Sequence, residues 1–360
     1  MPLFGILRTR LGYLLLDKAG CQTLLAQAKA PVWQDTDMIS RLTRRNAPLR
    51  GAVETGLRRI ALDRATPSRL GRMLKRHLPA GTVYFNTGQT NFTDRMIHSL
   101  AQCERLKIVP YVHDTIPLDW PDTQTQKSRL KFQGFFKRVE RYADLVLCNS
   151  NDTKAHILKH ARRLNPLSVK VIWPGLPKMT LGAAPAGPWS GKPYFMAIGT
   201  IEPRKNIGFL LDLWTDHTGP NAPRLLICGR RGWLNEDVFQ RLDQSPPNVH
   251  ELPNLSDPEM WALLQGSTGL LFPSRAEGFG YPAIEAAQLK VPLICNPLPA
   301  LREVLGDYPI YAGESDRYLW ATKIEQLTQR CRGQSGEQTE QRAFDAPGWQ
   351  AHFNRLFTLL

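Results

Sequence analysis

Short apolar runs recur along the chain, bounded by Gly, Pro, Asn or Asp and separated by longer stretches with helical spacing. TVYFNTG (82–88), KIVPYVHD (107–114), ADLVLCNS (143–150) and SVKVIWPG (168–175) predict buried strands, and YFMAIGT, RLLICGR, NVHEL, GLLFPS, VPLICN and PIYA predict a second series. Runs this apolar suit parallel strands covered on both faces, and strand–helix alternation predicts doubly wound α/β architecture. The Pro- and Gly-rich passage PGLPKMTLGAAPAGPWSGKP (174–193) separates the series and reads as a linker. Two domains follow, at 1–175 and 190–340. The opening MPLFGILRTRLGYLLLDKAG predicts a short helix that touches lipid; Arg8 and Arg10 interrupt it, so it is neither a membrane span nor a signal peptide. From Pro31, PVWQDTDMISRLTRR suggests a strand and a turn, and Thr55-Gly56 a turn before the helical pattern Leu57, Ile60, Ala61. Past a polar stretch at 334–340, GWQAHFNRLFTLL spaces Trp349, Phe353, Leu356 and Phe357 along one helical face.

Charge adds one feature. Of a formal +14 over 360 residues, the first 80 positions carry fifteen Lys or Arg against five Asp or Glu. Such a patch suits an anionic membrane surface, nucleic acid, or a solvated face, and no nucleic-acid motif accompanies it. The six cysteines are scattered, without a C-x-x-C pair or a nearby His; that pattern suits a reducing cytoplasm and no structural metal.

The richest stretch is GLLFPSRAEGFGYPAIEAAQL (269–289), a buried strand, a glycine-containing loop and a helix. In open α/β sheets ligands sit outside the carboxyl ends of strands. Gly278 and Gly280 allow close backbone approach, and the free amides around Pro282 favour an anion. Glu277 on the loop and Glu285 on the helix both reach the predicted crevice. Gly278–Ala283 also fits G-x-G-x-x-A, but its strand ends too early and Pro282 interrupts the motif. In the segment Gly199–Asn206, Arg204 offers a planar fork and Lys205 a point charge, the placement a diphosphate wants. His113-Asp114 ends an apolar strand. Asp35-Thr36-Asp37 is a D-x-D triplet, a metal signature that chance also supplies.

Glu277-Gly278-Phe279-Gly280-x-Pro282-x-x-Glu285-Ala286 resembles the paired-glutamate motif of retaining family-4 glycosyltransferases, group 1, and YVHDTIPLDWPD resembles the His-Asp segment of their bacterial polysaccharide and mannosyltransferase-like branch. The resemblance implies the GT-B fold, two Rossmann-like doubly wound domains facing a central cleft, with a terminal helix (341–360) returning to the first. It implies Glu277, His113 and Asp114 at the reacting sugar, Arg204 and Lys205 on the leaving diphosphate, and Gly278, Phe279 and Gly280 orienting the ring through their amides. Glu285 would accept from ribose hydroxyls, the backbone near Gly229, Asn254 and Leu255 would frame the base, and Gly56 would meet the diphosphate. CNSNDT (148–153) recurs in that branch. Two positions depart from it: Thr55-Gly56 stands where many members have a glycine pair, and Gln89 where many have His. The expected substrates are a GDP- or UDP-sugar and a glycan or polyprenyl-diphosphate-linked acceptor. No metal or other cofactor and no nucleic acid is expected, and the enzyme should lie at the cytoplasmic face, its basic residues against anionic lipid. A GT-B protein that binds nucleotide or polyanion without catalysis, and a nucleotide-sugar epimerase, remain as alternatives.

Overall fold

The computed structural model describes residues 2–29, 36–38, 41, 47–333 and 344–359. Contacts divide the chain into two compact units, Met1–Tyr111 with Arg141–Leu145, and Val112–Glu140 with Val146–Leu360.

The first unit opens with a hairpin, where a helix was expected. Gly5–Thr9 and Gly12–Leu16 pair antiparallel with Thr9 opposite Gly12, and Asp63–Ala65 adds a third strand. An apolar run this short carries the same signal for helix and strand. The turn decides: Gly12 has φ +143°, which L side chains rarely adopt, and a Cβ there would strike the Ala65 carbonyl. The middle strand is covered on both sides, so Tyr13, Leu14, Leu15 and Leu16 are all buried. Val83–Asn86 pairs in parallel with Lys107–Val112 as expected.

One other expectation is corrected here. Thr55-Gly56 is no turn, because helix Pro48–Ile60 runs through it. The helix starts at Pro48, whose missing N–H costs nothing in the first turn, and the Thr55 hydroxyl donates back to the Gly51 carbonyl at 2.9 Å. The Gly56 N–H therefore sits in helical backbone, not in a loop open to a phosphate. Asp37 of the D-x-D accepts at 2.8 Å from Arg58, which lies on that same helix. Asp35 and the strand suggested from Pro31 lie outside the described residues, as does the polar stretch 334–340.

The second unit holds a six-stranded sheet in the order Val249–Leu252, Arg224–Cys228, Tyr194–Ile198, Gly269–Phe272, Leu293–Cys295, Ile310–Tyr311, every adjacent pair parallel. Alternate residues enter two cores: Met196, Leu226 and Leu270 pack with helix Tyr281–Gln288 on one face, while Phe195, Leu225 and Leu271 pack with helices Ile207–Trp214 and Arg317–Cys331 on the other. This two-sided burial is why the strands read as continuous apolar runs. The chain order reverses between Tyr194–Ile198 and Gly269–Phe272, so loops leaving these neighbours at their carboxyl ends diverge and open a crevice. Val146–Cys148 pairs with Val169–Val171 in the same unit. Helix Trp349–Phe357 lies against residues 173–176, with the Leu176 N–H donating to the Pro347 carbonyl at 2.9 Å.

Gly12→Ala should lower the unfolding midpoint of the first unit. Forcing a Cβ into this backbone conformation costs on the order of 1–3 kcal/mol, read by urea unfolding against the parent.

Candidate active site

The crevice at the strand-order reversal is built from two loops. Gly199–Asn206 leaves Tyr194–Ile198, and Pro273–Gly280 leaves Gly269–Phe272. They are joined through charge. Glu277, its side chain 9% exposed, takes the Lys205 ammonium on Oε1 at 2.6 Å and the Arg204 guanidinium on Oε2 at 2.9 Å. Burial alone would raise the Glu277 carboxyl, but the two cations overcome it and hold it below the usual carboxylate range. Arg204 also donates to Glu202 at 2.6 Å and to the Ala276 carbonyl at 2.8 Å. Lys205 passes over Gly199, whose φ of +136° excludes a side chain, and ends 4.8 Å from the centre of the Phe272 ring.

The second loop is held almost atom by atom. Asn296 donates to the carbonyls of Pro273 and Ser274 at 2.8 and 3.0 Å, and the Arg275 N–H donates to the Arg204 carbonyl at 2.9 Å. Ser150, fully buried, donates to the Gly278 carbonyl at 2.8 Å. Gly278 lies so close to the His113 carbonyl that a Cβ would overlap it. Asn149 donates to that same carbonyl at 2.7 Å, so the segment 148–153 clamps both the His113-Asp114 turn and the glutamate loop. At Gly280, φ is +84° and a Cβ would meet Leu301; no side chain caps helix Tyr281–Gln288, which starts there.

Glu277, Arg204, Lys205, Gly278, His113 and Asp114 are thus gathered. The Asp114 carboxyl is pushed up by burial, partly offset by the Ile116 N–H it accepts at 3.0 Å and by nearby Arg204. His113 is exposed. A cavity of about 220 Å³ lies beside this cluster, lined in part by Asp114, Glu277, Gly278, Asp119, Trp120 and His156. The Phe279 ring is buried in the core, 5.4 Å from that of Tyr281. Glu285 lies next to Trp261 and Asp257, its carboxyl raised to about 7 chiefly by burial, offset in part by a hydrogen bond from Trp261 and reinforced by the Asp257 charge. Gly229 lies at the end of Arg224–Cys228, where a Cβ would strike the Gly199 carbonyl. Asn254 is exposed and Leu255 half-buried, just before the capping box of helix Asp257–Gln265. Gly56 belongs to the other unit.

Residues 185–330 match the family described as "Glycosyl transferases group 1". Over that stretch the chain resembles group 1 glycosyltransferases. The chain is 29% identical over 236 residues to the serotype-specific mannosyltransferase WbdA of Escherichia coli, covering 57% of this chain and 28% of that protein. It is 27% identical to the O-antigen chain mannosyltransferase RfbU of Salmonella typhimurium, covering 61% of this chain and 60% of the relative. The chain therefore spans less than two thirds of the length of either. Among solved structures, Anabaena HepE in complex with UDP and glucose superposes with a TM-score of 0.61 at 16% identity, over 81% of this chain and 80% of that one. The crystal structure of TarM gives 0.58 at 14%, over 86% and 60%. The shared fold is GT-B. All the residues of the two crevice loops lie inside the matched group 1 module.

Two participants escaped the sequence reading. Glu202, its side chain 4% exposed, anchors Arg204 and stands two positions before it in the segment already singled out. Glu303 accepts from the Asn151 N–H at 2.7 Å and from the Trp173 indole at 2.9 Å, tying helix Pro299–Leu305 to the start of helix Asn151–His160. Nothing local in the sequence marks Glu303. Among the described residues no group of His, Cys, Asp and Glu is arranged to hold a metal ion.

Two outcomes follow for the module. Gly278→Ala should keep the fold but displace the glutamate loop from the His113 carbonyl, so catalytic activity falls at least tenfold while the circular dichroism spectrum is retained. The Glu285 carboxyl is raised in the folded state from 4.5 to about 7, so the native protein holds a proton there that the unfolded chain has released. Stability from this group is complete below about pH 4.5 and is lost as pH rises to about 7, by about 3 kcal/mol. Urea unfolding across pH 4–8 should show this decline in the parent and not in Glu285→Gln.

Proposed function

We propose that the chain is a retaining hexosyltransferase that moves a sugar, mannose by preference, from a GDP- or UDP-sugar to a glycan or polyprenyl-diphosphate-linked acceptor in surface polysaccharide synthesis. The observation that carries this is the buried assembly of Glu277, Arg204 and Lys205 at the strand-order reversal. The group 1 match and the O-antigen mannosyltransferase relatives support the substrate class.

In this reading the acceptor oxygen forms its bond to the anomeric carbon on the face the diphosphate is leaving. The bond from that carbon to the phosphate oxygen breaks, and the departing phosphate takes the acceptor's proton. Arg204, Lys205 and the uncapped start of helix Tyr281–Gln288 stabilise the charge that grows on the diphosphate. Glu277 is kept ionised by the same cations, which use two of its roughly four acceptor positions. The others receive sugar hydroxyls as positive charge develops on the ring. His113 and Asp114 border the transferred sugar, and Glu285 accepts from the ribose.

Cationic side chains then perform the work a divalent ion does elsewhere, so activity should survive EDTA. A rate that collapses with chelator and returns with manganese would remove metal independence from the reading. The glutamates should separate kinetically. Glu277→Ala lowers kcat much more than it raises donor KM, because its partner changes charge during the reaction. Glu285→Ala raises donor KM by about 1.5–3 kcal/mol in binding terms, with kcat less affected.

The direct test is thermal stabilisation by GDP-, UDP- and ADP-sugars, followed by transfer from the stabilising donor to lipid-linked or glycan acceptors. Stabilisation without transfer or hydrolysis would favour a binding protein. Solvent deuterium in recovered donor would favour an epimerase.

A further inference from the structure

A third loop reaches the crevice of the second unit. It joins strand Ile310–Tyr311 to helix Arg317–Cys331 and carries Glu314. Because the six strands run parallel, it leaves the same edge of the sheet as Gly199–Asn206 and Pro273–Gly280. A single oxygen of Glu314, Oε2, accepts from both of those loops: from the Asn206 side-chain amide at 2.7 Å and from Arg275 Nε at 2.8 Å. Asn206 directly follows Lys205, and Arg275 stands two residues before Glu277. Glu314 therefore holds each loop beside the residue that carries its charge.

Asn206 is committed to this contact. It is the residue at which its loop turns into helix Ile207–Trp214, with φ +55° and ψ 38°, a left-handed conformation that Asn tolerates better than most side chains. An Asn in that position ordinarily caps its helix by accepting from a backbone N–H. Here no side-chain cap forms, and the amide donates to Glu314 instead. Asn206 is 9% exposed, and a buried amide that loses its partner keeps its desolvation cost. Arg275 and Glu314 are each 43% exposed, and such a pair by itself would hold little. Sharing one oxygen with the buried amide is what turns the carboxylate into a bridge.

The bridge matters most once a ligand competes for the cations. Arg204 and Lys205 are both engaged by Glu277. A diphosphate drawing on the same two groups weakens their hold on that carboxylate, and with it one tie between the loops. Glu314 bonds to neither cation, so its bridge persists.

We propose that Glu314 is a positioning residue: acting through Asn206 and Arg275, it fixes the spacing of the two loops and keeps Glu277 aligned with Arg204 and Lys205 while a diphosphate shares these cations. The diphosphate rests on the glycosyltransferase reading above; the bridge rests on its own geometry.

The test uses the full chain. Hydrogen exchange read by mass spectrometry should accelerate in both segments, 199–206 and 273–280, in Glu314→Ala. Glu314→Gln, whose amide oxygen still accepts, should exchange like the parent. Acceleration in neither segment, or in one alone, overturns the bridge. In steady-state transfer, Glu314→Ala should lower kcat about tenfold or more with donor KM within about threefold, since a small misplacement of catalytic groups costs rate more than binding. Glu314→Gln should restore most of that loss. A lower urea midpoint with the kcat of the folded protein unchanged would make Glu314 merely structural and overturn the proposal. Asn206→Gly checks the route, because glycine keeps the left-handed backbone and removes the amide. Added to Glu314→Ala, it should cost far less than the product of the two single effects, as both remove one contact. Independent effects overturn action through Asn206. A parent that neither transfers sugar nor hydrolyses donor overturns the function, and the exchange comparison still decides the bridge.

Discussion

The contact between Glu277 and the cations Arg204 and Lys205 is the interaction on which the crevice depends. Two loops that diverge from neighbouring strands would otherwise be independent, and surface ion pairs contribute little to holding such loops. Here the three side chains are 9–15% exposed, and both cations have a second anchor: Glu202 and a backbone carbonyl for Arg204, an aromatic face for Lys205. A buried charge that loses its partner is costly. The arrangement is consequently self-enforcing, since neither loop can move without stranding a charge. The same field keeps Glu277 ionised in a site whose burial would otherwise neutralise it.

Around that centre the backbone is as constrained as the side chains. Carbonyls of Pro273, Ser274, Ala276 and Gly278 are each bonded to a side chain from a different segment. Glycine at 278 and 280 is required by steric proximity to the His113 carbonyl and to Leu301, and at 280 also by a positive φ. A loop held this way needs little reorganisation to meet charge on a ligand, which is the physical content of electrostatic preorganisation. The two glutamates of the motif meet different surroundings: one paired with two cations, the other half-buried near an acid and raised to about 7. Spacing in the sequence is silent on that difference.

What the sequence alone determined was the set of local features. Ten apolar runs became ten strands, because a strand buried on both faces needs a continuous apolar stretch whatever its neighbours are. The glycine loop, the Arg204-Lys205 pair and the His113-Asp114 strand end were legible because strand ends in open sheets expose a few polar residues after an apolar run. The tertiary structure decided everything that depends on a partner distant in sequence. The opening residues form a hairpin because Asp63–Ala65 and a turn glycine make pairing available, where the apolar run by itself suited a helix equally. Thr55-Gly56 is helical because the helix begins seven residues earlier at Pro48. Asp37 became an ion-pair partner of Arg58, and Glu303 a clamp on Asn151, through contacts 21 and 152 residues apart in the chain. Charge and hydrogen bonding act through space, and only the fold sets those distances.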